Sequence, residues 1–341
     1  MTRYVIVGAG AIGGMIGGRL AEAGIATAWV ARGEHGRALA DRGVTLLTPE
    51  GAVHAEAPVW LDPGQADLRA DDVLIVATKT QDLAETLPVW ADLPVTLPDG
   101  SSAPAGEVLP VFLATNGVAA EGLAARWFAR VFGVCVWCPA VNLEPGVIVV
   151  RMAGTSAVLH ASRVPAALAT DADRDLLAAL RADFAAAHID VPLPADVMPW
   201  KHGKLISNLA NVVQAVLGPG VDAADVIEAA AAEGRAVMAA AGVDVVEESV
   251  EEAVRAAGPR VAPVPGAEGA LGGSTWQSLV KGRPSLESDF LNGEIVALAH
   301  GAGTAAPVNA ALARVGRRAA RSGLRPGDLT PDDLRAEVAR G

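Results

Sequence analysis

Tyr4-Val5-Ile6-Val7-Gly8-Ala9-Gly10-Ala11-Ile12-Gly13, running into a helix-patterned stretch over 14–23, decides the fold. It reads as strand, glycine turn, helix. In such a unit the first glycine permits the tight turn, the second lets a pyrophosphate approach the backbone, and the third lets the helix pack on the strand. The phosphates then meet the amides of the helix N-terminus. A bare glycine fingerprint also suits an ordinary strand-to-helix turn. The strand before it and the helix after it favour dinucleotide binding by Gly8, Ala9, Gly10, Ala11, Ile12 and Gly13.

Outward from this unit, apolar strand-like runs at 4–7, 26–31, 73–77, 111–114 and 132–137 alternate with helical stretches. That alternation predicts a mostly parallel sheet with helices on its faces. The β-branched runs at 147–150 and 157–159 predict a short antiparallel addition, and a helix is expected over 171–187. From residue 198 the pattern is almost wholly helical, apart from a Gly- and Pro-rich interval over 258–273. A second loop is expected over 97–106. The expected division is 1–195 for the sheet domain and 196–341 for the helical one.

A chain of 341 residues suits two domains. No apolar run is long enough to span a bilayer, and the N-terminus lacks the character of a secretion signal, so a cytoplasmic protein without membrane partners is expected. The net charge of -12 disfavours nucleic acid as a partner. It also makes individual cations informative, because an acidic protein that binds an anionic cofactor must place its few cations near the phosphates. Cys135 and Cys138 lie in a strand-like run where residues three apart face opposite sides, which disfavours a joint redox or metal role. The six histidines are scattered, and no metal is expected.

After the second strand, where an NAD enzyme places a carboxylate for the ribose hydroxyls, the chain has Arg32. A guanidinium there accepts the 2'-phosphate of NADPH as a planar fork; the plainer reading is an arginine facing solvent. Lys79 stands at the carboxyl end of the next predicted strand, the rim where α/β ligands bind, in position to pair with cofactor phosphate. Asn116-Gly117 follows a later strand. Its amide suits the ribose or nicotinamide side of a cofactor, and Asn-Gly equally suits a simple turn.

In the second half, Trp200-Lys201-His202-Gly203-Lys204-Leu205-Ile206-Ser207-Asn208-Leu209-Ala210-Asn211 sits in a helical stretch expected to continue to Leu217. On a continuous helix Lys204, Asn208 and Asn211 fall within roughly 60° of one another. An amine and two amides on one face of an otherwise apolar helix require polar partners, either water or a polar ligand.

With these residues in order, the chain resembles the ketopantoate reductase family along nearly its full length. That family carries a terminal glycine fingerprint, a basic residue after the second strand, a Lys after the fourth, an Asn-Gly after the fifth, and a helical Lys-Leu-x-x-Asn. Here these are Gly8 to Gly13, Arg32, Lys79, Asn116-Gly117 and Lys204 to Asn208. A further match is Ser274, Gly282-Arg283-Pro284, Glu287 and Asn292-Gly293. The resemblance implies an α/β fold: an N-terminal Rossmann-type, mostly parallel sheet and an all-helical C-terminal domain like that of 6-phosphogluconate dehydrogenase.

It also implies NADPH as cofactor and reduction of 2-dehydropantoate to pantoate in pantothenate biosynthesis. Lys204 would be the general acid, because a lysine partly withdrawn from water gives up its proton more readily. Glu287 would receive the substrate hydroxyl or hold the reacting oxygen. Asn208, Asn211, Ser274 and Asn116 would bind substrate, with Asn116 also at the cofactor. The chain departs from the pattern at several points. Asn211 comes three residues after Asn208 rather than four, Thr275-Trp276 replace a small aliphatic pair, an extra residue precedes Glu287, and 94–106 is an unusual insertion. Trp276 either reshapes the pocket or packs in the core. Reduction of another 2-oxo acid and a non-catalytic NADPH-binding regulatory role are the alternatives. The Ala-rich helices of the second half suit packing within one chain or a homodimer.

Overall fold

The structure is a computed structural model that describes residues 2–218, 220–267 and 272–340. Its first part contains β1 (Arg3–Val7), α1 (Ala11–Glu22), β2 (Thr27–Val30), α2 (Gly33–Arg42), β3 (Val44–Thr48), β4 (Gly51–Ala55), β5 (Val59–Trp60), β6 (Asp72–Val76), α3 (Leu83–Ala91), β7 (Pro94–Thr96), β8 (Ser102–Pro104), α4 (Ala105–Val108) and β9 (Pro110–Leu113). It continues with α5 (Ala119–Ala124), β10 (Arg130–Trp137), β11 (Ala140–Glu144), β12 (Val147–Val150), β13 (Ala157–Arg163), α6 (Asp171–Ala186) and β14 (Ile189–Asp190). There follow α7 (Met198–Asn208), α8 (Asn211–Leu217), α9 (Ala224–Ala240), α10 (Glu248–Ala257), α11 (Ser274–Val280), α12 (Asn292–Gly301), α13 (Pro307–Ser322) and α14 (Pro331–Ala339).

The main sheet has the order β14-β13-β10-β9-β6-β1-β2-β5. The run from β10 to β5 is parallel, and β13 turns antiparallel against β10. Both faces of β1 are buried: Tyr4 and Ile6 enter one apolar cluster, Val5 and Val7 the other. A parallel strand covered on both faces reads as a continuous apolar run, which is what 4–7 shows.

The expected antiparallel strands over 147–160 are present, each in an antiparallel pair, but they belong to two different sheets. Val147–Val150 belongs to a second sheet of order β11-β12-β3-β4, whereas Ala157–Arg163 joins the main sheet. The second sheet packs on α1. A side chain at Gly14 would lie 2.4 Å from Ile148, and one at Gly17 would lie 2.4 Å from Trp29 of the main sheet. Glycines on two sides of α1 therefore let both sheets approach one helix. The expected loop over 97–106 is corrected in part: 97–101 is the turn that joins β7 to β8, and β8 and the start of α4 fill the rest.

By internal contacts the chain forms two compact units. One takes the residues up to Thr115, Ala120–Val197 and the segment from Ala253 to residue 268; the other takes Asn116–Ala119, Met198–Glu252 and the remainder. The main change of unit falls between Val197 and Met198, and short segments on each side of it are counted with the other unit. The interval from 258 is non-helical, and Val261 makes an antiparallel bridge to Met152; residues 268–271 of that interval lie outside the described residues. The helical unit has its own core around Leu205, Leu209, Val213, Met238, Ile295 and Leu312. Among the described residues, no helix is long and apolar enough to cross a membrane.

Burial sets one pH-dependent term in the sheet unit. His160 on β13 sits opposite Cys135, stacks edge-on against Trp137 at 4.7 Å, and is pushed down to about 4 by burial. The nearby Cys138 thiol is pushed up by burial to about 12, away from thiolate chemistry. An unfolded histidine protonates near 6.5, so as pH falls from there to about 4 only the unfolded state gains the proton. Stability contributed above that window is lost across it, on the order of 3 kcal/mol. His160→Phe should therefore show a smaller fall in Tm between pH 7 and pH 4.5 than the wild-type chain. Parallel falls in thermal unfolding scans would refute the assignment.

Candidate functional site

The carboxyl end of β1 feeds the glycine turn. Gly8 has φ +92, and a side chain there would lie 2.7 Å from Thr78, so this position is held to glycine by conformation and space together. At Gly13 a Cβ would lie 2.3 Å from the Gly8 carbonyl oxygen. Gly10 differs: a Cβ there meets nothing within 4 Å. Gly10 is also the N-cap of α1, where no side chain caps the helix and no acid occupies the first turn. Uncapped amides, the positive end of the helix dipole and open space form a cradle for an anion.

The rim around this cradle holds the predicted cations. Arg32 ends the segment after β2 as the N-cap of α2; it is exposed, and its side chain makes no hydrogen bond or ion pair among the described residues. Lys79 is half-buried at the turn after β6. Beside it, two groups that sequence reasoning missed stand out: Thr78 Oγ1 and Gln81 Oε1 are buried and have no hydrogen-bond partner among the described residues. Buried polar atoms of this kind are normally satisfied, so a polar ligand at this strand end would supply what they lack. The cradle and these atoms fit a dinucleotide. Thr78 and Gln81 flank Lys79 in the chain, but the approach of Thr78 to Gly8 was not readable from spacing.

In the helical unit, Lys204 is half-buried on α7 and Asn208, one turn later, is 6% exposed. Their spacing puts them on one face. Asn208 Nδ2 donates to Asn116 Oδ1 at 3.3 Å. Gly117, at φ +77, would clash through a Cβ with the Phe290 carbonyl oxygen at 2.7 Å, so the Asn116-Gly117 turn lies directly against the Glu287–Phe290 turn. Glu287 itself is 4% exposed. The structure thus gathers Asn116, Asn208 and the turn that bears Glu287. Lys201, not singled out from the sequence, is more deeply buried than Lys204, at 2% exposure.

Asn211 is where the expectation fails. The predicted continuous helix breaks at Leu209-Ala210, so Asn211 opens α8 rather than continuing α7. The break has a physical cause. Leu209 N–H bonds the Ile206 carbonyl three residues back, and the carbonyl of Leu209 is taken by the buried Asn292 side chain at 3.2 Å. Asn211 Oδ1 instead lies 4.0 Å from the Cβ position of Gly273, immediately before Ser274, which begins α11 half-buried. Trp276 packs flat on Gly272 and against the helical core, the second of its two expected readings. Thr275 Oγ1, Ser288 Oγ and Asn292 Oδ1 are buried nearby in sequence without hydrogen-bond partners among the described residues, and sequence reasoning missed them. Among the described residues no cluster of His, Cys, Asp and Glu is suited to a metal ion.

Two family models match the chain: Ketopantoate reductase PanE/ApbA over residues 4–161 and Ketopantoate reductase PanE/ApbA C terminal over residues 196–319. The chain belongs to the ketopantoate reductase family. Membership places it among oxidoreductases and agrees with the α/β sheet followed by helices. Among curated proteins none matches significantly. Among solved structures, a PanE/ApbA family ketopantoate reductase from Ralstonia eutropha JMP134 is similar at 24% identity and TM-score 0.73, covering 95% of this chain and 99% of that one. A D-mandelate dehydrogenase solved with NADH and anilino(oxo)acetate is similar at 18% identity and TM-score 0.75, with 95% and 99% covered. A dimeric ketopantoate reductase from Staphylococcus aureus is similar at 18% identity and TM-score 0.67, with 95% and 100% covered. At these identities the solved structures speak for the shared fold of this ketopantoate reductase-family chain, not for its substrate.

Proposed function

We propose that this chain reduces a 2-oxo acid with NADPH, with 2-dehydropantoate as the leading substrate. The observation that carries the reading is the hydrogen bond from Asn208 to Asn116, made beside the turn of Glu287 and one helical turn from Lys204. The glycine cradle, Lys79 and Arg32 would hold NADPH, which would supply the hydride. Asn116 serves cofactor and substrate together. Lys204 donates its proton to the carbonyl oxygen as negative charge builds there, and Glu287 holds the reacting oxygen or receives a substrate hydroxyl. Asn208 hydrogen-bonds the substrate, and Ser274 receives its carboxylate. Asn211, displaced onto α8 beside Gly273, is assigned to the same carboxylate end. The domains of the reaction are taken as 1–195 for the cofactor and 196–341 for the substrate.

The D-mandelate dehydrogenase likeness supports a second reading, in which the ketone bears a bulkier group. NADPH oxidation followed at 340 nm, with 2-dehydropantoate, branched aliphatic 2-oxo acids and phenylglyoxylate as substrates, separates the readings. Turnover is expected to be greatest with 2-dehydropantoate. Turnover confined to phenylglyoxylate would favour the second reading, and none with any 2-oxo acid would favour a non-catalytic cofactor-binding protein. In the same assay Arg32→Ala should raise KM for NADPH by about 10- to 100-fold through loss of a charge-assisted contact, with little change for NADH. Equal losses with both cofactors would remove Arg32 from the 2'-phosphate. The S. aureus neighbour is dimeric, and a homodimer is the assembly proposed here, which sedimentation equilibrium checks by mass.

A further inference from the structure

His35 lies three residues beyond Arg32, in the first turn of α2, and is half-buried. Its ring joins three parts of the sheet unit. Gly146 N–H, in the turn between β11 and β12, donates to Nδ1 at 3.1 Å. A backbone amide can only donate, so Nδ1 carries the lone pair and the proton sits on Nε2. Nε2–H therefore donates to the Ala9 carbonyl at 2.7 Å. The side-chain amide of Asn142 on β11 also reaches Nδ1, at 3.0 Å.

The Ala9 carbonyl is the middle of the fingerprint. The Ala9-Gly10 peptide is a rigid plane, and it is held from both edges: its oxygen by His35 and its N–H by the Gly8 carbonyl at 2.8 Å. That plane sets the direction of the backbone at Gly10, the position left open for an anion. The other side of the ring rests on the second sheet, whose Ile148 packs against Gly14 of α1. A small sheet with no candidate residue of its own thereby braces the cradle through one imidazole.

We propose that His35 is a positioning residue that holds the glycine cradle in the shape that accepts the cofactor pyrophosphate. The proposal rests on the cofactor reading above. The ring needs a donor at one edge and an acceptor at the other, in one rigid frame, which histidine in its neutral form supplies. Glutamine keeps a donor at the reach of Nε2. Asparagine keeps only an acceptor at the reach of Nδ1. Because the pyrophosphate is common to both nicotinamide cofactors, NADPH and NADH should suffer alike, unlike the loss expected at Arg32.

Calorimetric titration of the full chain with NADPH and with NADH, for the wild type and for His35→Ala, His35→Gln and His35→Asn, tests this, with Tm measured in parallel. His35→Ala should raise Kd for both cofactors by about tenfold, and KM for NADPH likewise, with kcat unchanged at saturating cofactor. His35→Gln should recover most of the affinity and His35→Asn little, at similar Tm. Wild-type affinity in His35→Ala would overturn the proposal, as would equal affinities of the Gln and Asn variants, which would mean packing alone. A loss restricted to NADPH would overturn it by moving the effect to the 2'-phosphate. A wild-type chain that binds neither cofactor would overturn the cofactor reading itself, a result distinct from all of these.

Discussion

Lys204→Ala should lower kcat by about 10³ while leaving the Kd for NADPH unchanged, because a positioned general acid contributes roughly 10²- to 10⁴-fold. The argument runs through geometry. Lys204 is half-buried one turn before Asn208, and Asn208 is tied to Asn116 beside the turn of Glu287. An ammonium there meets the oxygen on which charge develops only as hydride arrives, so its removal acts on kcat and kcat/KM together. Lys201 is the necessary comparison. It lies three residues away on the same helix and is buried more completely. Under the proposed mechanism Lys201→Met affects stability, read as a lower Tm, more than it affects kcat. If Lys201→Met abolishes turnover in a folded chain and Lys204→Ala does not, the acid has been assigned to the wrong lysine.

The parts of the molecule legible in the sequence are those written in local patterns. The β1-turn-α1 unit is one: the strand run, the three glycines and the helix are contiguous, with Gly8 and Gly13 held by close neighbours and Gly10 left open. The Lys204–Asn208 pair is another, since helical spacing alone puts the two on one face. What remained hidden depends on partners distant in the chain. The second sheet is built by β12 pairing with β3 across about a hundred residues, from strands too short to announce their neighbours. The break between α7 and α8 is held by Asn292, 83 residues from Leu209. Asn292 in turn donates to Asn309, whose amide donates to Glu233, so the kink is fixed by a buried polar chain that no local propensity encodes. Thr78 and His35 escaped notice for the same reason, because only the folded chain puts them at the glycine cradle.

Two substitutions within the fingerprint should separate folding from binding by a wide margin. At Gly10 the backbone has φ -78 and ψ -146, and an added Cβ meets no protein atom within 4 Å. Gly10→Val should therefore fold, with a smaller loss of Tm than a substitution that meets packed atoms. Its isopropyl group, however, fills the space that the pyrophosphate is proposed to enter, and at least two charge-assisted amide contacts would be lost. The expected loss of NADPH affinity is more than about 100-fold. At Gly13 the balance is opposite. A Cβ there lies 2.3 Å from the Gly8 carbonyl oxygen and 2.9 Å from Ile6, backbone and core atoms that have little room to move. Alanine gains up to about 1 kcal/mol in helix propensity, but overpacking of this kind costs about 1–3 kcal/mol or more, so Gly13→Ala should lower Tm. The two readouts must therefore cross: binding more than stability at Gly10, stability before binding at Gly13. A Gly10→Val chain that is stable and binds NADPH as tightly as the wild type would show that the cofactor does not lie over this turn, and the assignment of the glycine cradle would fall with it.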